Sequence, residues 1–313
     1  MLNIAGLKLP MIGSHLVTGN VYFVDSGATG TSDSNDGLRP DRALATTDGA
    51  TNKCTANNGD IVVWMPGHAE TTTAIAMDVA GVTYLGVGHG AARPTLTATA
   101  AATNLINVTA ASVYIENVVL VGAASLCTGL LALSAAADYF HMNNCELQSG
   151  AAPLIQVAIA PGADNGIIEN CLFKGTAVNT DNSIKFTESL VGVDCQDWII
   201  RFCNFNYIES AGCDLGAICV SMSSGGVTGI LIQDCNFLGL ANGEAAIDPQ
   251  KTSSGRATGT AMRCAALCAD EKDSFVESDL LGYVDCHSFQ AGEHSNSSMN
   301  SDNRVPKNTP NPA

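Results

Sequence analysis

The sequence predicts an all-β chain wound as a right-handed, single-stranded parallel β-helix. Three observations carry this: a short phrase that recurs through the middle of the chain, small side chains at its inward positions, and a thin supply of aromatic and charged residues. The copies read Ile115-Glu116-Asn117-Val118-Val119-Leu120, Met142-Asn143-Asn144-Cys145-Glu146-Leu147, Ile168-Glu169-Asn170-Cys171-Leu172-Phe173, Ile200-Arg201-Phe202-Cys203-Asn204-Phe205 and Ile232-Gln233-Asp234-Cys235-Asn236-Phe237. Aligned on Val118 and the four cysteines, they recur every 26 to 32 residues. At such a period each unit is too small to bury its own apolar face and has to stack on its neighbours.

Each copy is apolar at its first, fourth and sixth positions and polar at its second, with β-formers on either side, which suits a short strand better than a helix. A leucine-rich solenoid has a similar period, but it needs a regular leucine ladder that this chain lacks. Stacked coils of short strands, about 4.8 Å apart, remain. Lys174-Gly175-Thr176 and Ser223-Ser224-Gly225-Gly226 read as bends between sheets.

Composition fits a slim core. The 313 residues would make two domains by size alone, but a solenoid lengthens by adding coils. Hydrophobic residues make up 46% and aromatics only 5%, with 31 glycines, so small side chains fill the interior. Thirty acidic against fourteen basic residues give a net charge of −16, which keeps the surface soluble and disfavours nucleic acid or an anionic membrane as partner. The uncharged run Val118–Ala137 is rich in Ala, Gly, Ser and Thr and overlaps the repeat, so it reads as strands and not as a membrane span.

Of the twelve cysteines, four share one phase of the repeat and read as an internal ladder of free thiols, as in a protein made in a reducing cytosol. Met1 to Pro10 carry one Lys and no long apolar stretch, so no secretory signal is expected there. No Cys-x-x-Cys pair occurs, and Cys264 with Cys268 has no second pair, so no structural zinc and no other metal or cofactor is expected.

In chain order, residues 1–20 form an apolar N-terminal arm. Residues 21–58 form a small α/β cap: a strand at Val21–Val24, a loop rich in Asp, Ser, Gly and Asn, and a short helix between Asp41 and Ala56 that plugs the open end of the solenoid. The β-helix occupies 59–287, opening at Gly59-Asp60-Ile61-Val62-Val63-Trp64. Residues 288–313 are a polar C-terminal tail. Arm and tail are both expected to be pinned by neighbouring chains, since free termini of this kind seldom order alone.

The run Tyr22-Phe23-Val24-Asp25-Ser26-Gly27, then Asn35-Asp36-Gly37-Leu38-Arg39-Pro40, then Ile61-Val62-Val63-Trp64-Met65-Pro66-Gly67-His68-Ala69-Glu70, with Ala80-Gly81-Val82-Thr83-Tyr84-Leu85-Gly86-Val87-Gly88, resembles the opening of pectate-lyase-like right-handed β-helix proteins. Its Pro-Gly-His-Ala-Glu-Thr version is similar to that of structural proteins of tailed bacteriophages. The motifs cover roughly residues 21 to 95. The resemblance implies a non-enzymatic virion component, a homotrimeric capsid decoration or cement protein bound to the major capsid protein. Its place would be the particle surface, after synthesis in the host cytoplasm. The alternative is a tailspike or other carbohydrate-active β-helix that binds or cuts host surface polysaccharide.

The residues themselves offer no complete catalytic set, and no catalytic residue is expected. Gly88-His89-Gly90 and Asn179-Thr180-Asp181 are fragments of pectin-hydrolase motifs in the wrong order, without the Asp-Asp pair or Arg-x-Lys that should follow. Glycoside hydrolysis needs two carboxylates across the bond. A lyase needs carboxylates for Ca²⁺ plus an Arg or Lys base: Asp181, Asp194, Asp197 and Asp214 are acids near adjacent coils, and Lys174, Lys185 and Arg201 are the bases between Pro94 and Gln250. Arg201 is expected to be a solvated strand residue at an outward position. His68 and Glu70 read as turn hydrogen bonding in the cap, and Trp64 and Trp198 lie inside strand patterns and not on a sugar platform.

Overall fold

The structure, a computed structural model, describes residues 2–290 apart from 5–6, 10, 13, 100–102, 123–126, 128, 151–154, 176–181, 188–192, 208–216, 222–224, 241–244, 250–255, 269–274 and 276–280. Three parallel sheets, of eleven, nine and seven strands among the described residues, run the length of the solenoid. One coil is Ile155–Ile159 in the seven-stranded sheet, Ile167–Glu169 in the eleven-stranded sheet and Leu172–Lys174 in the nine-stranded sheet. The next is Asn182–Phe186, Ile199–Arg201 and Asn204–Asn206, paired in register strand for strand with the coil before it. The repeat phrase is the corner between the eleven- and nine-stranded sheets.

That corner explains the phrase. Ile168 points in and Glu169 out, Asn170 turns the backbone in the left-handed region at φ +54°, and Cys171 points in again. Asn is favoured at the turn because its short polar side chain tolerates the left-handed conformation. Like atoms therefore stack along the axis. Ile115, Met142, Ile168, Ile200 and Ile232 form one buried column. Phe173, Phe205 and Phe237 form another, their ring centroids 4.6 Å apart and their planes within 9° of parallel.

Cys145, Cys171, Cys203 and Cys235 line up as expected, and Cys264 and Cys286 extend the column. Each thiol faces a carbonyl of the coil below, as Cys171 does Met142 O at 3.9 Å and Cys203 does Ile168 O at 3.7 Å. No disulfide occurs among the described cysteines. Burial pushes the Cys195 thiol, outside this column, up to about 12, so it stays protonated and packs as a small apolar group. Trp198 is wholly buried across Gly166, where an added Cβ would lie 2.2 Å from the indole.

The cap closes the first coil. Val21–Val24 adds a parallel strand beside Ile61–Trp64. The helix is a single turn, Thr47–Thr51, capped by the Thr46 hydroxyl, which accepts from Gly49 N at 3.0 Å. Its buried Thr47 hydroxyl accepts from Trp64 Nε1 at 2.9 Å and donates to Glu70 Oε2 at 2.6 Å, tying helix to coil.

The N-terminal arm departs from expectation in what it touches. Its Met11–Ile12 and His15–Leu16 strands form a hairpin, and Ile12 and Val17 pack on Ile61, Val63 and Leu85, the outer face of the chain's own eleven-stranded sheet. That face is apolar at this end, and the chain's own hairpin covers it. The strand His287–Gln290 still pairs in the nine-stranded sheet, and the tail expected to follow lies outside the described residues. No helix among the described residues is long and apolar enough to cross a membrane.

Two substitutions test the interior. Cys203→Asp places an unpaired charge in the thiol column and should abolish soluble expression. Phe205→Ala removes the middle ring of the stack and should cost about 3–5 kcal/mol in urea unfolding.

Candidate active site

Where the apolar outer face of the eleven-stranded sheet ends, a polar one begins. Strand alternation sends Tyr114 and Glu116, His141 and Asn143, Glu169, and Arg201 outward from four successive coils. Register then sorts them into two rows. Tyr114 lies beside His141, and Glu116, Asn143, Glu169, Arg201 and Gln233 follow one another coil by coil.

The two carboxylates have different surroundings. Glu116 Oε2 accepts from the Tyr114 hydroxyl at 3.1 Å and lies 2.6 Å from His15 Nε2, delivered by the arm hairpin. The Tyr114 hydroxyl accepts in turn from Asn143 Nδ2 at 3.1 Å, and Asn143 Oδ1 accepts from Asn170 Nδ2 at 2.9 Å. Glu169 Oε1 lies 2.9 Å from His141 Nε2, and Oε2 accepts from Arg201 Nε at 2.7 Å. The rings of His15 and His141 flank Tyr114 edge-on, with centroids 4.7 and 4.5 Å away.

Protonation follows from these contacts. Burial works to raise Glu169, but hydrogen bonds from His141 and Arg201 and the Arg201 charge outweigh it and hold the carboxyl below its usual range. Tyr114 is pushed well above the usual phenol value by burial and by the Glu116 charge, against the Asn143 hydrogen bond, so it keeps its proton. With Glu169 ionised, His141 donates through Nε2. The face thus presents a fixed anion at Glu169 and, two coils away, the close His15–Glu116 contact. Two strand spacings separate the glutamate backbones by about 9.6 Å.

The residues singled out in the sequence scatter. Asn179, Thr180, Asp181 and Asp214 lie outside the described residues. Asp194 accepts from Gly226 N at 2.8 Å, and Asp197 turns the backbone at φ +54°, both at the bend leading into the eleven-stranded sheet. Lys174 pairs with Glu146 at 3.0 Å on the nine-stranded sheet, and Lys185 lies on the seven-stranded one, in register with Cys219 and Asp248. His89 is exposed on a turn. His68 is buried, its Nδ1 accepting from Ser26 N at 3.0 Å, and Glu70 receives Thr47 N at 2.9 Å, so both serve the cap. Trp64 and Trp198 are buried. Arg201 alone joins the cluster, and it is paired, not merely solvated. Among the described residues no His, Cys, Asp and Glu group is placed to hold a metal ion.

The absence of an expected catalytic set reflects what sequence motifs can carry. Glu116 and Glu169 were visible as the polar second position of the phrase, and Tyr114 and His141 stand two residues before Glu116 and Asn143 on the same face. His15 gave no signal, since its partner is 101 residues away.

The architecture is a parallel β-helix. A rhamnogalacturonan lyase shares it at 14% identity and a TM-score of 0.56, over 80% of this chain and 68% of that one. A pectin methylesterase, solved in complex with a hexasaccharide, aligns at 9% identity and a TM-score of 0.48 over 86% and 90%. No protein-family model and no curated protein matches the sequence. At these identities the likeness is one of fold. The expectation of a non-enzymatic capsid decoration protein is corrected by this finding: the fold is shared with an enzyme, a rhamnogalacturonan lyase, and the comparisons lend no support to a bacteriophage origin.

The site makes a testable contribution to stability. Glu169 has a folded-state value below the ordinary 4.5, so its stabilisation is present above that value and is lost as pH falls through the lower folded one. Melting temperatures followed from about pH 5 to about pH 3 should fall more steeply for the native protein than for Glu169→Gln.

Proposed function

We propose that the protein is a carbohydrate-active enzyme that binds a polysaccharide along the outer face of its eleven-stranded sheet and hydrolyses it between Glu116 and Glu169. The observation that supports this reading is the placement of two carboxylates on one open face, two coils apart and each in contact with a histidine. Glu169 is saturated by cationic and imidazole donors, and Glu116 shares a contact of 2.6 Å with His15.

Hydrolysis by single displacement separates its carboxyl groups by about 6.5–9.5 Å, leaving room for a water molecule. Two coils of this sheet, about 9.6 Å between backbones, reach that range once the side chains lean toward each other. In the step, water attacks the anomeric carbon as Glu169 takes its proton. The bond to the leaving oxygen breaks, and that oxygen takes a proton from Glu116, the general acid of the proposed step, which His15 contacts. Tyr114, kept protonated, orients Glu116, and Asn143 between the rows offers an amide to a sugar hydroxyl.

Charge narrows the substrate. The chain carries a net −16, and the two glutamates outnumber the single arginine beside them, so a neutral backbone meets less repulsion than a polyuronate.

Reducing-end release from neutral and acidic polysaccharides tests this. Glu116→Gln and Glu169→Gln should each lower kcat by about a thousandfold or more with little change in folding. An unsaturated product absorbing in the ultraviolet would show elimination instead and defeat the hydrolytic assignment.

A further inference from the structure

Among the described residues, seven stacked corners hand the chain from the eleven-stranded to the nine-stranded sheet through a left-handed residue: Asn117, Asn144, Asn170, Phe202, Asp234, Arg263 and Asp285, with φ between +51° and +58°. Short polar side chains enter that region most readily. A phenylalanine there is a steric outlier. Phe202 does not recover the cost through burial, since it is 45% exposed.

Its surroundings are polar. Asn170 and Asp234 occupy the corners one coil to either side, and Asp234 is clamped by Arg263 at 2.7 and 2.8 Å. Asn204, two residues on, accepts from Asn236 Nδ2 at 3.1 Å, and both are exposed. The ring also adjoins the candidate active site: the Arg201 guanidinium, which holds Glu169, lies 5.8 Å from its centroid. Residues held in sparsely populated backbone regions cluster at active sites and ligand clamps, so a bulky outlier at an exposed position motivates a functional reading.

The geometry points to Phe202 as the platform of a sugar-binding subsite. Its face would take the apolar C–H face of a pyranose ring while Asn170, Asn204 and Asp234 receive the hydroxyls at the rim. The subsite lies one coil, about 4.8 Å, beyond Glu169, next along the path of a chain threaded past the two glutamates. This rests on the glycan reading above and adds a stacking requirement: the unit bound there presents an unsubstituted apolar face.

The test compares wild type, Phe202→Asn and Phe202→Trp in affinity electrophoresis against laminarin, arabinogalactan, polygalacturonan and rhamnogalacturonan. Phe202→Asn restores the residue type that suits the corner, so its melting temperature should be unchanged or higher while affinity falls about tenfold. Phe202→Trp should retain binding and report it by a fluorescence change, because Trp64 and Trp198 are shielded in the core. Wild-type affinity in Phe202→Asn would overturn the platform and leave the enzyme reading standing. Failure of the native protein to bind any of the four would overturn both.

Discussion

The left-handed corner is the constraint on which the rest of this protein depends. One residue at positive φ between two short strands lets side chains on both sides of it point inward, as Ile168 and Cys171 do around Asn170. Repeated coil on coil, it fixes register without slippage, because a one-residue shift would send the isoleucine column to solvent and the glutamates into the core. The parallel ladders, the thiol column and the phenylalanine stack all follow from holding that register.

The same register builds the outer face. A position facing water in one coil faces water in every coil, so a row of outward residues is a set of side chains held about 4.8 Å apart on a rigid support. Chemistry on such a surface requires only that neighbouring coils differ at one position. The row Glu116, Asn143, Glu169, Arg201 is a case in point: acid, amide, acid and base in sequence, each partnered by the next coil or by the arm. Elsewhere on the same sheet, Ile61 and Val63 are apolar and covered by the hairpin, so the arm both seals one end of the face and delivers His15 to Glu116 on the coil just beyond Leu85.

Most of the fold was legible because it is periodic. The coil corner, the inward cysteines and the cap strand before Trp64 follow from spacing and alternation. Cys264 and Cys286 were harder to see, since their phrases open on Ala261 and Tyr283 and lack the aliphatic residue that marks the earlier copies. The candidate site was half legible. Glu169 and Arg201 sit at a position already known to face outward, but that they meet at 2.7 Å depends on strands 32 residues apart pairing without offset. His15 illustrates the limit: nothing local distinguishes a histidine in an apolar arm from one that reaches a carboxylate on a distant coil. The motif fragments misled for the converse reason, since short matches to Gly-His-Gly carry no information about which face of which sheet they occupy.

The stability of the face and its proposed chemistry pull on the same groups. Arg201 holds Glu169 ionised, which strengthens the coil contact, yet a tightly paired carboxylate is a weaker base than a free one. Substrate binding offers a resolution. Arg201 is more exposed than Glu169 and adjoins the Phe202 ring, so a sugar seated on that ring would compete for the guanidinium and loosen its hold on the carboxylate. Losing a charged partner raises a carboxyl toward its ordinary value and with it the affinity for the proton of an attacking water molecule. On the proposed reading, a ligand that drew Arg201 away would let binding energy at Phe202 raise the basicity of Glu169.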